Sequence, residues 1–141
     1  MTSTTTLKMV LSPLLRQLRI DSQQLDVSSS YVMDLGDGLT LQLEESPQDH
    51  LTLSCLLPMQ EADFSSPATL NTLLQCNLLG LAHPPILTAT LPEQQRVLLW
   101  ARQPFSALEA HQLTELFERF AGQAGKLQQF LLLPAEEGQS A

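Results

Sequence analysis

Leu39, Leu41 and Leu43 alternate with Thr40, Gln42 and Glu44, and beyond Ser46-Pro47-Gln48-Asp49 the same period returns in Leu51, Leu53, Cys55 and Leu57. A period of two places every second side chain on the same side of an extended chain, so these runs are strands of a sheet with one apolar face. Upstream, LDVSSSYVMDL is rich in β-branched and aromatic residues, and Gly36-Asp37-Gly38 supplies the positive φ values of a tight hairpin. A three-stranded antiparallel meander follows, with Pro58 to Ser65 read as a loop.

Helical spacing brackets this meander. Leu7, Val10, Leu11, Leu14, Leu15 and Leu18 fall on one stripe of a helix ending near Arg19. Pro13 leaves two forms open there: a longer kinked helix, or a shorter one capped by Ser12 with Pro13 at its first position. Ser66-Pro67 starts a second helix bearing Leu70, Leu73, Leu74, Leu78 and Leu81, stopped by Pro84-Pro85. Ile86 to Leu91 and Arg96 to Arg102 then read as a hairpin. In its second strand Val97, Leu98, Leu99 and Trp100 are consecutive apolar residues, which predicts cover on both faces of the sheet. Ser106 and Glu109 have the spacing of a capping box, and Leu113, Leu116, Phe117, Phe120, Ala124, Leu127 and Leu131 mark the stripe of a third helix. The fold class is α+β in the order α-β-β-β-α-β-β-α, a twisted antiparallel sheet with helices packed on it. We expect one domain over 1–141, with 1–5 and 134–141 as flexible tails.

The chain holds 31 leucines but only seven aromatic residues, more aliphatic surface than a small monomer easily hides, which points to a buried subunit interface. A formal charge of −8 repels nucleic-acid phosphate and anionic lipid, so neither is an expected partner. No apolar run approaches the roughly 20 residues of a membrane span. The N-terminal stretch has no small-residue cleavage site and is not read as a secretory signal, and two cysteines are too few for a disulfide framework. A cytoplasmic protein is expected.

Chemistry is sparse. His50, His83 and His111 have no i, i+4 partner of the kind a zinc helix needs, and neither Cys55 nor Cys76 lies in a nucleophile sequence. Glu44-Glu45 and Glu136-Glu137 are adjacent pairs that do not converge on a substrate. Asp34 and Asp37 flank a turn with too few oxygen ligands for calcium. No glycine-rich phosphate loop or serine elbow occurs. No catalytic residue, metal site or cofactor is expected.

The element order in a small acidic chain resembles the class I chaperones of bacterial type III secretion, the Tir chaperone or CesT-like family. Three stretches carry the resemblance: Leu25-Asp26 with the Gly36-Asp37-Gly38 turn, LNTLLQCNLLG from Leu70 to Gly80, and RVLLWARQPFSALEAHQL from Arg96 to Leu113. The last is similar to the exoenzyme chaperones of Pseudomonas and Yersinia, the SpcS, SpcU and SycE group. The resemblance implies a homodimer whose second helix supplies much of the interface, through Leu70, Leu73, Leu74, Asn77, Leu78 and Leu81, with Trp100 beside it. It implies as partner a secreted effector whose extended N-terminal segment occupies apolar grooves near the first helix and the meander. Leu7, Val10, Leu11, Leu14, Val32, Leu41, Leu43 and Leu53 are the candidates for that contact. Likeness to SpcU in particular implies an ExoU-like phospholipase as the effector.

A different class of protein shares the gross features: a small dimeric enzyme of the hot-dog thioesterase type, with His50, Asp63, His83 and Glu93 as its candidate catalytic groups. A structural adaptor for folded proteins is a third.

Overall fold

The computed structural model describes residues 5–79 and 84–132. Helix α1 spans Leu7–Gln17, followed by strands β1 (Ser30–Gly36), β2 (Leu39–Glu45) and β3 (His50–Pro58). Helix α2 (Pro67–Leu79) leads to β4 (Leu87–Leu91), β5 (Arg96–Pro104) and the long helix α3 (Ala110–Leu131). The α+β class and the element order agree with the sequence reading.

The five strands form one antiparallel sheet in the order β1-β2-β3-β5-β4. After β3 the chain crosses through α2 to the far edge, lays down β4, and returns to insert β5 beside β3. The inward side of the sheet carries Leu39, Leu41, Leu43, Leu51, Leu53, Cys55, Leu57, Val97, Leu99 and Ala101, all buried. Helix α3 packs on β2 and β3, and α1 packs against α3. Every stripe residue expected of α3 is buried, from Leu113 through Phe120 to Leu131.

Turn chemistry explains the hairpins. Gly36 pairs with Leu39, leaving Asp37 and Gly38 as a two-residue loop with φ of 54° and 77°. Left-handed backbone at both positions matches the twist of the flanking strands, and glycine adopts it without a Cβ clash.

Of the two forms left open for α1, the longer is found: the helix continues through Pro13, with Thr6 as its cap, whose Oγ1 accepts from the Met9 amide at 3.2 Å. The carbonyl that Pro13 cannot serve belongs to Met9, an exposed residue, where losing the donor costs less than it would in the core. The segment read as a loop before α2 contains a 3-10 turn, Glu61–Ser65, with Asp63 buried. The capping residue of α3 is Glu109 rather than Ser106, because Phe105–Ala107 forms its own short turn; the Glu109 amide donates to Gln112 Oε1 at 2.9 Å. Ser66 does cap α2, its Oγ accepting from the Thr69 amide at 3.2 Å. Leu81 and His83 lie outside the described residues.

Phe120 is completely buried between α3 and the sheet. Phe120→Ala is expected to lower unfolding free energy by about 3–5 kcal/mol in urea denaturation, whereas Val32→Ala on the exposed edge should change it by less than about 0.5 kcal/mol.

Candidate protein-binding surfaces

An antiparallel ladder alternates bonded and outward-facing pairs. The Glu45 amide donates to the Ser29 carbonyl at 2.8 Å, so Tyr31 and Met33 also bond inward to β2, while Ser30, Val32 and Asp34 turn their main-chain groups away from it. Ser30 is already occupied: Ser28 Oγ donates to its carbonyl at 3.0 Å and accepts from its amide at 3.2 Å. Beyond that plug, Val32 and Asp34 leave an open edge, and the Val32 side chain is 69% exposed.

The opposite edge is plugged at one position, Thr88. Asn77 of α2 takes the outward amide of Thr88 in β4 at 2.6 Å, and Thr88 Oγ1 donates to the Leu73 carbonyl at 2.8 Å. A helix side chain thus occupies the donor that another strand would need, a common way of blunting a sheet edge.

Beside the open edge lies an apolar cleft of about 110 Å³ between α1 and β1, walled by Leu11, Leu14, Leu15, Ile20, Leu25, Tyr31, Val32, Met33 and Leu43. Its outer wall is tied in place by main-chain carbonyls. Lys8 Nζ donates to the Leu25 carbonyl at 2.7 Å, and Tyr31 Oη donates to the Asp26 carbonyl at 2.7 Å. Four of the eight expected effector-contact residues, Leu11, Leu14, Val32 and Leu43, line this cleft. Leu7, Leu41 and Leu53 do not line it; they are buried in the chain's own core, as are Leu11, Leu14 and Leu43, whose side chains form the cleft's floor, so that Val32 is the one exposed residue of the eight. Val10 is half-buried against that core. Five lining residues were missed: Leu15, on the α1 stripe, and Ile20, Leu25, Tyr31 and Met33, which sit outside regular apolar stripes and are brought together only by folding.

Helix α2 is apolar on two sides. Leu73 is buried toward β4, which removes it from the expected interface set, and Leu70 and Asn77 are half-buried. Leu74 and Leu78, one turn apart on the outer side, are 65% and 68% exposed. Trp100 is half-buried on the outward face of the sheet, with the Arg102 guanidinium 5.4 Å from its ring centroid. That face also carries Leu56, Leu98 and Val32 around a shallow concavity of about 570 Å³, so the two-sided cover expected over β5 is not supplied by the described residues.

Of the candidate catalytic groups, His50 and Glu93 are not brought together. His50 opens β3 opposite Pro104, its ring Nδ1 2.9 Å from the Gln48 carbonyl, while Glu93 is exposed in the β4–β5 turn at the other end of nine-residue β5, about 27 Å away. Burial pushes the thiols of both Cys55 and Cys76 up, away from the reactive thiolate. Among the described residues no three His, Cys, Asp or Glu side chains cluster as metal ligands would, and no helix is long and apolar enough to cross a membrane.

The model of the Tir chaperone protein (CesT) family matches residues 10–128. The chain belongs to this family. Solved CesT-like folds superpose on it: the ExoT–SpcS complex of Pseudomonas aeruginosa at TM-score 0.67 and 24% identity, covering 84% of this chain and 94% of that one. The Yersinia pestis chaperone SycH, in complex with a YscM2 fragment, gives TM-score 0.67 at 15% identity over 85% of this chain and 98% of its own. The HopA1–SchA chaperone–effector complex gives 0.67 at 15%, covering 86% and 92%. The chain matches none of the curated proteins. This family membership displaces the hot-dog thioesterase reading.

Asn77→Ala is expected to cost about 1 kcal/mol in urea denaturation by stranding the Thr88 amide, and Asn77→Asp, which keeps an acceptor, to recover most of it. An Asn77→Ala protein as stable as the parent would mean that the edge plug contributes nothing.

Proposed function

We propose that this CesT-family chain is a non-catalytic type III secretion chaperone, acting in the bacterial cytoplasm as a homodimer that holds an extended segment of a secreted effector. The observation that carries the reading is the pairing of an open strand edge at Val32 and Asp34 with an apolar cleft along α1. Main-chain bonds to such an edge give affinity with little sequence demand, and pockets for alternate side chains choose among guests. The fold is shared with SpcS, SchA and SycH, solved with ExoT, HopA1 and a YscM2 fragment respectively. ExoT beside SpcS makes an exoenzyme the first class of guest to test.

Dimerisation is assigned to the outer side of α2. Full burial of Leu74 and Leu78 contributes about 1.5–3 kcal/mol each, and two copies double the sum. A charge of −8 keeps such a complex soluble while its apolar surfaces are occupied. No step needs a nucleotide, metal or cofactor.

Leu74→Asp and Leu78→Asp are expected to give monomer by light scattering at micromolar concentration, because a carboxylate would enter an apolar contact; a mutant that remains dimeric moves the interface elsewhere. Val32→Pro removes an outward amide without breaking the ladder to β2. It should weaken capture of a co-expressed effector's N-terminal segment at least tenfold by titration calorimetry, with dimer and melting temperature retained. Unchanged affinity would rule out strand addition at β1.

A further inference from the structure

The exposed edge of β1 is bounded at both ends. At one end Ser28 Oγ holds both main-chain groups of Ser30, and at the other the Gly36 amide donates to Asp34 Oδ1 at 2.8 Å. Between these stops Val32 and Asp34 turn main-chain groups outward that meet no partner among the described residues. The edge is a window of two pairing positions. Its two faces differ in chemistry. Val32 and Asp34 share the outward face, where Val32 borders the concavity that also holds Leu56 and Leu98. Tyr31 and Met33 point the other way, into the cleft between α1 and β1, with Ile20 and Leu25 in its walls. Asp34 is exposed, and the Gly36 amide fixes one of its carboxylate oxygens while the other makes no ion pair among the described residues. Asp37 in the adjoining turn and Asp26 before β1 are exposed as well, and Lys8 is engaged by the Leu25 carbonyl.

A strand added antiparallel, like the five already in the sheet, places one guest residue opposite Asp34, another opposite Val32 and a third between them. Directly paired residues share a face of the sheet, so the first two lie beside Asp34 and Val32 on the outward face, and the middle one faces the cleft. A space of about 110 Å³, at about 30 Å³ per water-sized group, takes one aliphatic side chain such as leucine. Opposite charges and β-branched pairs are the favoured cross-strand neighbours of Asp34 and Val32 respectively, and a like charge opposite Asp34 is disfavoured. We propose that the β1 window selects a guest triplet that reads, from its N-terminal side, basic, aliphatic, β-branched. The occupant is an extended segment of the secreted effector, so this selection rests on the effector reading and specifies the guest's chemistry. The chain's charge of −8 favours the approach of such a basic segment.

The probe is a short acetylated and amidated peptide carrying Lys-Leu-Val between serines, titrated into ¹⁵N-labelled protein at low salt. A saturable shift of the Val32 and Asp34 amide resonances is expected, with solvent exchange slowed at these two amides and unchanged at Ser30 and Gly36. Replacing the peptide's leucine by serine should weaken binding at least tenfold, and replacing its lysine by glutamate at least threefold. The reversed order, Val-Leu-Lys, should bind more weakly than the parent. Asp34→Asn keeps the oxygen that holds the Gly36 amide but loses the charge, and it should erase the preference for lysine over glutamate. A preference that survives Asp34→Asn, a reversed peptide that binds as tightly, or slowed exchange at Ser30 or Gly36 overturns the proposal. Equal binding of all the peptides overturns the triplet but leaves strand addition standing, whereas no shift at Val32 and Asp34 overturns both.

Discussion

Leucines at every second position of β2 and β3 commit one face of the sheet to burial, and α3 is the element that buries it. The contact is extensive because two periods match: the two-residue repeat of the strands and the stripe of α3 from Leu113 to Leu131 present continuous apolar surfaces to each other. Helix α1 then closes the remaining side by packing on α3. Once that face is closed, the rest of the chain has only edges and the outward face to offer, and the function has to be found there.

Each edge carries one side-chain plug. At β4 Asn77 of α2 takes the outward amide of Thr88, and at β1 the hydroxyl of Ser28 occupies Ser30, so the β1 ladder stays open at Val32 and Asp34. An unpaired edge left beside an apolar cleft is a hazard in a protein that works alone, since it invites pairing with any extended chain. The proposed capture of an effector segment turns the same feature to use.

Much of this was legible from spacing alone. The meander, its glycine turn, the Ser66 cap and the whole buried stripe of α3 follow from local periodicity and turn chemistry, where each residue's role depends on near neighbours. Boundaries were less secure: Glu109 replaces Ser106 as the cap because a short turn formed ahead of it. Site residues were read least well. Leu7, Leu41, Leu53 and Leu73 have the same side chain as Leu74 and Leu78, and nothing local distinguishes a leucine that faces the chain's own core from one that faces outward.

By itself, the chain's order of residues determined the class of fold, the family and the absence of a recognisable catalytic motif, since periodicity, turns and motif spacing are properties of neighbours. Tertiary structure decided that Asn77 reaches the β4 edge and which leucines remain exposed. Those outcomes depend on β5 inserting between β3 and β4 and on α2 reaching the far edge, contacts between segments distant along the chain that no local pattern encodes.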